Sequence, residues 1–163
     1  MGPTQAVLPS RWEIRSKGGG GGNLTVLSLA VRNAPGEGIA YYVPGDAKGT
    51  LRISLLNVEI RGNGSHGVLI NDQLDPSVPE DENGDPIPPG PNPNGSDATV
   101  EVTVLGSRFS GNGNTEGVSV SDNDGLRVNE GGLGDLKLTV RLSVFEDNGA
   151  DGIEWTSEAT ATR

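Results

Sequence analysis

Arg61-Gly62-Asn63-Gly64-Ser65-His66-Gly67-Val68-Leu69-Ile70 is the stretch on which the fold turns. Its Asn-Gly step and its glycine-then-aliphatic step return as Ser110-Gly111-Asn112-Gly113 and as Asp147-Asn148-Gly149-Ala150-Asp151-Gly152-Ile153. A single Asn-Gly marks a turn in most proteins. Three at one offset mark a repeating unit.

Each copy follows the same kind of extended run. With Val31, Ile60, Phe109 and Phe145 set in one column, the residue seven places earlier is Leu24, Ile53, Val102 or Leu138. Five places earlier stand Val26, Leu55, Val104 and Val140, and three places later Ala34, Asn63, Asn112 and Asn148. The columns lie 29, 49 and 36 residues apart. The 49 contains a proline-rich excursion from Pro76 to Asp97, and the 36 contains about nine extra residues between Asn112 and Gly125. Without them both spacings fall to about 27 residues, inside the roughly 20–50 of solenoids, where stacked units bury a shared core.

Alternation inside the unit excludes a helical repeat. Val100-Glu101-Val102-Thr103-Val104 and Leu136-Lys137-Leu138-Thr139-Val140 have the two-residue period of strands with one buried face. Each unit holds about three such runs: one before the column residue, one at it, and one after a glycine (Gly38-Ile39, Gly67-Val68, Gly125-Leu126, Gly152-Ile153). Glycine and asparagine between the runs are expected to supply the positive φ of the bends. Asn63, Asn112 and Asn148 fit an asparagine ladder, each amide bonding its counterpart one turn away.

On these residues the chain resembles a right-handed parallel β-helix of the pectate-lyase-like superfold in degenerate-repeat form. The resemblance covers residues 23–158 and implies an all-β fold: a right-handed parallel β-helix solenoid of about four coils with two inserted loops. It specifies function poorly, because the scaffold carries lyases, hydrolases, adhesins and inert spacers. Residues 1–22 read as an N-terminal tail and partial first coil, with Trp12-Glu13-Ile14-Arg15 as that coil's last strand. Residues 159–163 read as a C-terminal tail. The loop excursions are 74–97 and 114–124.

Composition narrows the function. The apolar fraction is 33%, which leaves out 26 glycines, so an aliphatic solenoid core remains available. A net charge of −10, from 22 acidic and 12 basic residues, argues against nucleic acid and anionic membrane surfaces. No apolar run approaches the ~18 residues of a membrane span. Met1 to Gly22 lacks the hydrophobic segment of a signal peptide. An extracellular or cell-surface location is nevertheless favoured. With no cysteine and one histidine, any metal should be a hard cation such as calcium on oxygen donors.

Asp81, Asp85, Asp122 and Asp124 are the candidate metal ligands, in acidic loop segments that do not match a full EF-hand. Asp72 and Glu130 follow the third strand at equivalent positions, where two corner carboxylates are either solvated or hold a cation. Arg127 and Glu154 should pair across coils, and Asn71 and Asn129 should form a second short ladder. Asp147 and Asp151, with Asp122 and Asp124 one coil away, form a grouping a glycoside hydrolase could use, but ordinary turn chemistry is the favoured explanation. No catalytic residue is assigned, and the balance is against an enzyme.

Leu27, Leu56 and Leu105 share one outward position by alternation. Either they form an exposed stripe that mediates homo-oligomerisation, or the chain bends there and turns them into the core. The expected function is a non-catalytic surface or interaction module that binds a glycan or a protein ligand. The alternatives are a polysaccharide lyase or glycoside hydrolase, and an element that assembles end to end.

Overall fold

The computed structural model describes residues 12–15, 21–72, 95–114 and 122–157, and of residues 12–15 and 157 the backbone only. Among them there are strands and turns and no helix. The strands are β1 (Trp12–Arg15), then β2 (Gly22–Leu27), β3 (Ala30–Arg32) and β4 (Ile39–Tyr42). Next come β5 (Lys48–Leu56), β6 (Glu59–Arg61) and β7 (Val68–Asp72). They are followed by β8 (Asp97–Leu105), β9 (Arg108–Ser110) and β10 (Leu126–Glu130). The last three are β11 (Leu136–Arg141), β12 (Val144–Glu146) and β13 (Ile153–Ser157).

From β2 onward the strands come in triplets, and like members stack into three parallel sheets. The first sheet is β2-β5-β8-β11, the second β3-β6-β9-β12, and the third β1-β4-β7-β10-β13. This all-β stack is the architecture of a parallel β-solenoid. The registers follow the sequence columns: Val31 pairs with Ile60, Ile60 with Phe109, and Phe109 with Phe145. β1 pairs with β4 and so extends the third sheet by one strand.

The core is a closed stack of aliphatics. Leu51, Ile53, Leu55, Val100, Val102 and Val104 of the first sheet face Val68, Ile70, Leu126 and Val128 of the third. Ile60 and Phe109 fill the second, and the Phe109 and Phe145 rings lie parallel with centroids 4.6 Å apart. In the last triplet Leu136, Leu138, Val140, Phe145 and Ile153 repeat the inward pattern but are only half-buried. Leu27, Leu56 and Leu105 are consecutive register partners, continued by Arg141, and none belongs to the core. Leu27 is 64% and Leu105 40% exposed, with Leu56 half-buried, so the stripe points outward.

As expected, glycine and asparagine supply positive φ at the bends (Asn33, Asn57, Gly62, Gly106 and Gly111), although Ser28, Leu142 and Asp147 share the task. The ladder asparagines do not take positive φ. Two other columns do: Ser28, Asn57, Gly106 and Leu142 between the first and second sheets, and Asn33, Gly62, Gly111 and Asp147 after the second. Gly38, Gly67 and Gly125 serve close approach instead. A Cβ on them would meet the Nδ2 of Asn63, Asn112 and Asn148 at 2.7, 2.8 and 2.8 Å respectively. The excursion expected at 74–97 is also shorter at its end, because Asp97 already belongs to β8 and pairs with Lys48.

Candidate functional site

Three polar systems sit on this frame. The first is the ladder. Asn63 donates from Nδ2 to Asn112 Oδ1 (2.7 Å), and Asn112 Nδ2 donates to Asn148 Oδ1 (2.9 Å). Each Oδ1 also accepts a backbone N–H from the preceding triplet: Ala34 to Asn63 (2.9 Å), Asn63 to Asn112 (3.3 Å) and Asn112 to Asn148 (3.2 Å). Asn112 Nδ2 reaches back to Ile60 O as well (3.2 Å), so this buried amide is fully used. The role is structural, as buried amides must be paired.

The second system gathers on the outer side of the third sheet. Ala40, Leu69, Arg127 and Glu154 are register partners in one outward row, and Tyr42, Asn71, Asn129 and Thr156 form the next. Ala40 and Leu69 are buried without joining the core cluster, so the sheet is covered on both faces where the rows begin. Towards β10 and β13 the rows become polar. Arg127 Nη1 lies 2.6 Å from Asp122 Oδ2, 3.0 Å from Glu154 Oε2 and 3.5 Å from Asp124 Oδ2. Its Nε donates to Asn129 Oδ1 (3.3 Å), which also accepts from Thr156 Oγ1 (3.0 Å). Asn129 Nδ2 donates to Asn71 Oδ1 (3.3 Å).

Asp124 is the buried anchor of this cluster. Its backbone N–H donates to His66 Nδ1 (3.0 Å), which puts the proton of the neutral imidazole on Nε2. Its Oδ1 accepts the Asp151 N–H (3.0 Å). Burial holds the His66 pKa below its ordinary value, with the Asp124 charge pulling the other way. The Arg127 hydrogen bond and charge hold Asp122 below the usual carboxylate range. Glu154 is pushed up by burial and by the negative charges of Asp122 and Asp124, while Arg127 opposes the rise. For Arg127 burial works against the charge, but the three carboxylates prevail and keep its pKa raised.

Asp122, Asp124 and Glu154 each bring an oxygen within 4.8 Å of the others, a spacing that can hold a cation. Arg127 already supplies a positive group at that point. The structure thus unites two of the expected metal ligands, Asp122 and Asp124, with a third acid from the next triplet. Asp81 and Asp85 lie outside the described residues. Asn123, between the two aspartates, turns the opposite way, against Gly113 and Ser65.

The third system corrects an expectation. Asp72 and Glu130 are register partners, as supposed, but they are neither solvated nor on an outer face. They are 1% and 0% exposed and fall on the inward parity of Ile70 and Val128.

No protein family matches the chain, and neither a curated protein nor a solved structure shows significant similarity to it. No helix of the described residues is long and apolar enough to cross a membrane.

Proposed function

We propose that the chain is a non-catalytic interaction module, a right-handed parallel β-helix of about four coils, that binds a glycan on the outer side of its third sheet. The observation carrying this reading is the Arg127 guanidinium, on which Asp122, Asp124 and Glu154 converge. Rigid strands preset these groups, and hydrogen-bonded Asn71, Asn129 and Thr156 continue the row. Alternating carboxylate, amide and hydroxyl groups suit a ligand made of hydroxyls, which both donate and accept. A lyase needs a basic group poised to lose its proton, and Arg127 is held the other way.

One observation favours a glycoside hydrolase as the second reading. Glu154 is raised and Asp122 lowered, the opposed shifts that separate a general acid from an ionised partner. Against it, the two carboxylates are locked onto one guanidinium, with no gap between them for a glycosidic bond.

A glycan array run with and without calcium, on the wild type and on Arg127→Ala, tests the proposal. Binding that the variant loses supports it, and a wild type with no glycan signal in either condition sinks it. Release of reducing ends from a bound glycan, abolished in Glu154→Gln, would establish the hydrolase instead.

A further inference from the structure

The corner leading from the third sheet into the next triplet is lined by acids where an apolar group would be expected. In the first triplet the corner residue is Val43, which is buried. In the second and third it is Asp72 and Glu130, side by side on β7 and β10. Asp72 ties this corner to the start of the next triplet. Ser96 donates its backbone N–H to Asp72 Oδ1 (3.0 Å) and its hydroxyl to Asp72 Oδ2 (3.0 Å). The same hydroxyl accepts the Ala98 N–H (3.1 Å), just inside β8. Glu130 Oε1 accepts the Gly132 N–H (2.9 Å). Gly95 and Gly132 press against the backbones of Asp72, Gly131 and Ser96, so this corner tolerates no added side-chain atom.

The groups bearing electrostatically on Asp72 are Glu130 from β10 and Asp97 from β8, both acidic. Burial is the largest influence and pushes the Asp72 carboxyl up to about 7, against the two Ser96 hydrogen bonds, which favour its ionised form.

We propose that the Asp72–Glu130–Ser96 corner is a proton-operated joint: one proton on Asp72 lets it close beside Glu130, and loss of that proton sets two buried negative charges against each other and loosens the join between β7 and β8. The native state binds this proton more tightly than the unfolded chain, whose aspartate titrates near 3.8. The stability it supplies is therefore complete below about pH 4 and is lost as the pH rises through about 7.

The test is thermal melting of the full chain across about pH 5 to 9. Wild type should lose roughly 5–10 °C over that range, and Asp72→Asn, which keeps an acceptor for Ser96, should lose little. A flat wild-type profile, or an unchanged slope in Asp72→Asn, overturns the joint. Should Asp72→Asn not fold, Glu130→Gln serves, because removing the neighbouring charge lowers the Asp72 pKa and must move the loss of stability to lower pH. A slope that stays in place refutes the proposal. Infrared spectroscopy at neutral pH gives an independent reading: a buried protonated carboxyl band in wild type that Asp72→Asn lacks. Its absence from wild type also refutes it.

Discussion

The third and fourth triplets have the same pattern in the same register, yet they are not equivalent. Val100, Val102, Val104, Phe109 and Leu126 are completely buried, while their partners Leu136, Leu138, Val140, Phe145 and Ile153 are half-buried. The difference teaches that burial in such a stack belongs to the neighbours as much as to the residue. A triplet flanked on both sides gains two interfaces, and one flanked on a single side gains one.

The sharpest way to break this comparison is the phenylalanine pair. Phe109→Ala should cost about 3–5 kcal/mol, since it empties a fully enclosed site and removes a ring stack. Phe145→Ala should cost roughly half as much, because its site can relax towards solvent. Equal losses in urea unfolding would show that the last triplet is covered as well as the third.

The ladder gives the next largest contrast. Asn112→Ala removes the acceptor of the Asn63 N–H and amide and the donor to Ile60 O, at about 1–3 kcal/mol. Asn148→Ala removes the acceptor of the Asn112 donors and a long bond to Phe109 O, in a half-buried place that water can reach, so the loss should sit at or below the low end, about 1 kcal/mol.

At Leu142 the expected change has the opposite sign. Its partners in the same positive-φ column are Ser28, Asn57 and Gly106, all residues that visit this region readily or carry short polar side chains. Leu142 holds φ 52° with 88% of its surface exposed, so it bears the strain without the benefit of burial. Leu142→Gly should raise stability by roughly 0.5–1 kcal/mol. A destabilised variant would mean that this leucine is packed against something.

The smallest effect on folding is expected along the leucine stripe. Leu56→Glu lies outside the core, so its melting temperature should move by at most a degree or two, about 0.5 kcal/mol. Light scattering at two concentrations then separates the readings. Association in wild type that Leu56→Glu abolishes identifies the stripe as an interface, and a wild type that stays monomeric removes that role.

The frame was legible because two periods agree. Alternation assigned strands, and the Asn-Gly offset aligned Val31, Ile60, Phe109 and Phe145, which are register partners in the second sheet. The Arg127–Glu154 pair and the Asn71–Asn129 contact followed from the same alignment. Asp122 was harder to place, because it sits in a turn beyond a non-repeating insertion, where strand parity no longer says which way a side chain points. The corner acids were a different kind of miss. Counting two residues on from Ile70 and from Val128 puts both on the inward side, but the general exposure of acids argued for solvent. Glycine and asparagine do supply positive φ at the bends, but their alignment into columns is not legible because serine, leucine and aspartate occupy the same columns.

The ladder also gives the stack a grammar. Asn63 and Asn112 each accept from the triplet before and donate to the asparagine after, while Asn148 accepts from Asn112 and donates back to Phe109 O. An acceptor is therefore required only where another turn precedes, and Ala34 can stand in that slot because no second-sheet strand precedes β3 among the described residues. The rule is asymmetric for anyone who edits the molecule. A unit spliced between the third and fourth triplets must bring an asparagine, or it silences the donors of Asn112. A unit spliced in front of β3 may carry any small residue in the slot, but it will oblige position 34 to change from alanine to asparagine.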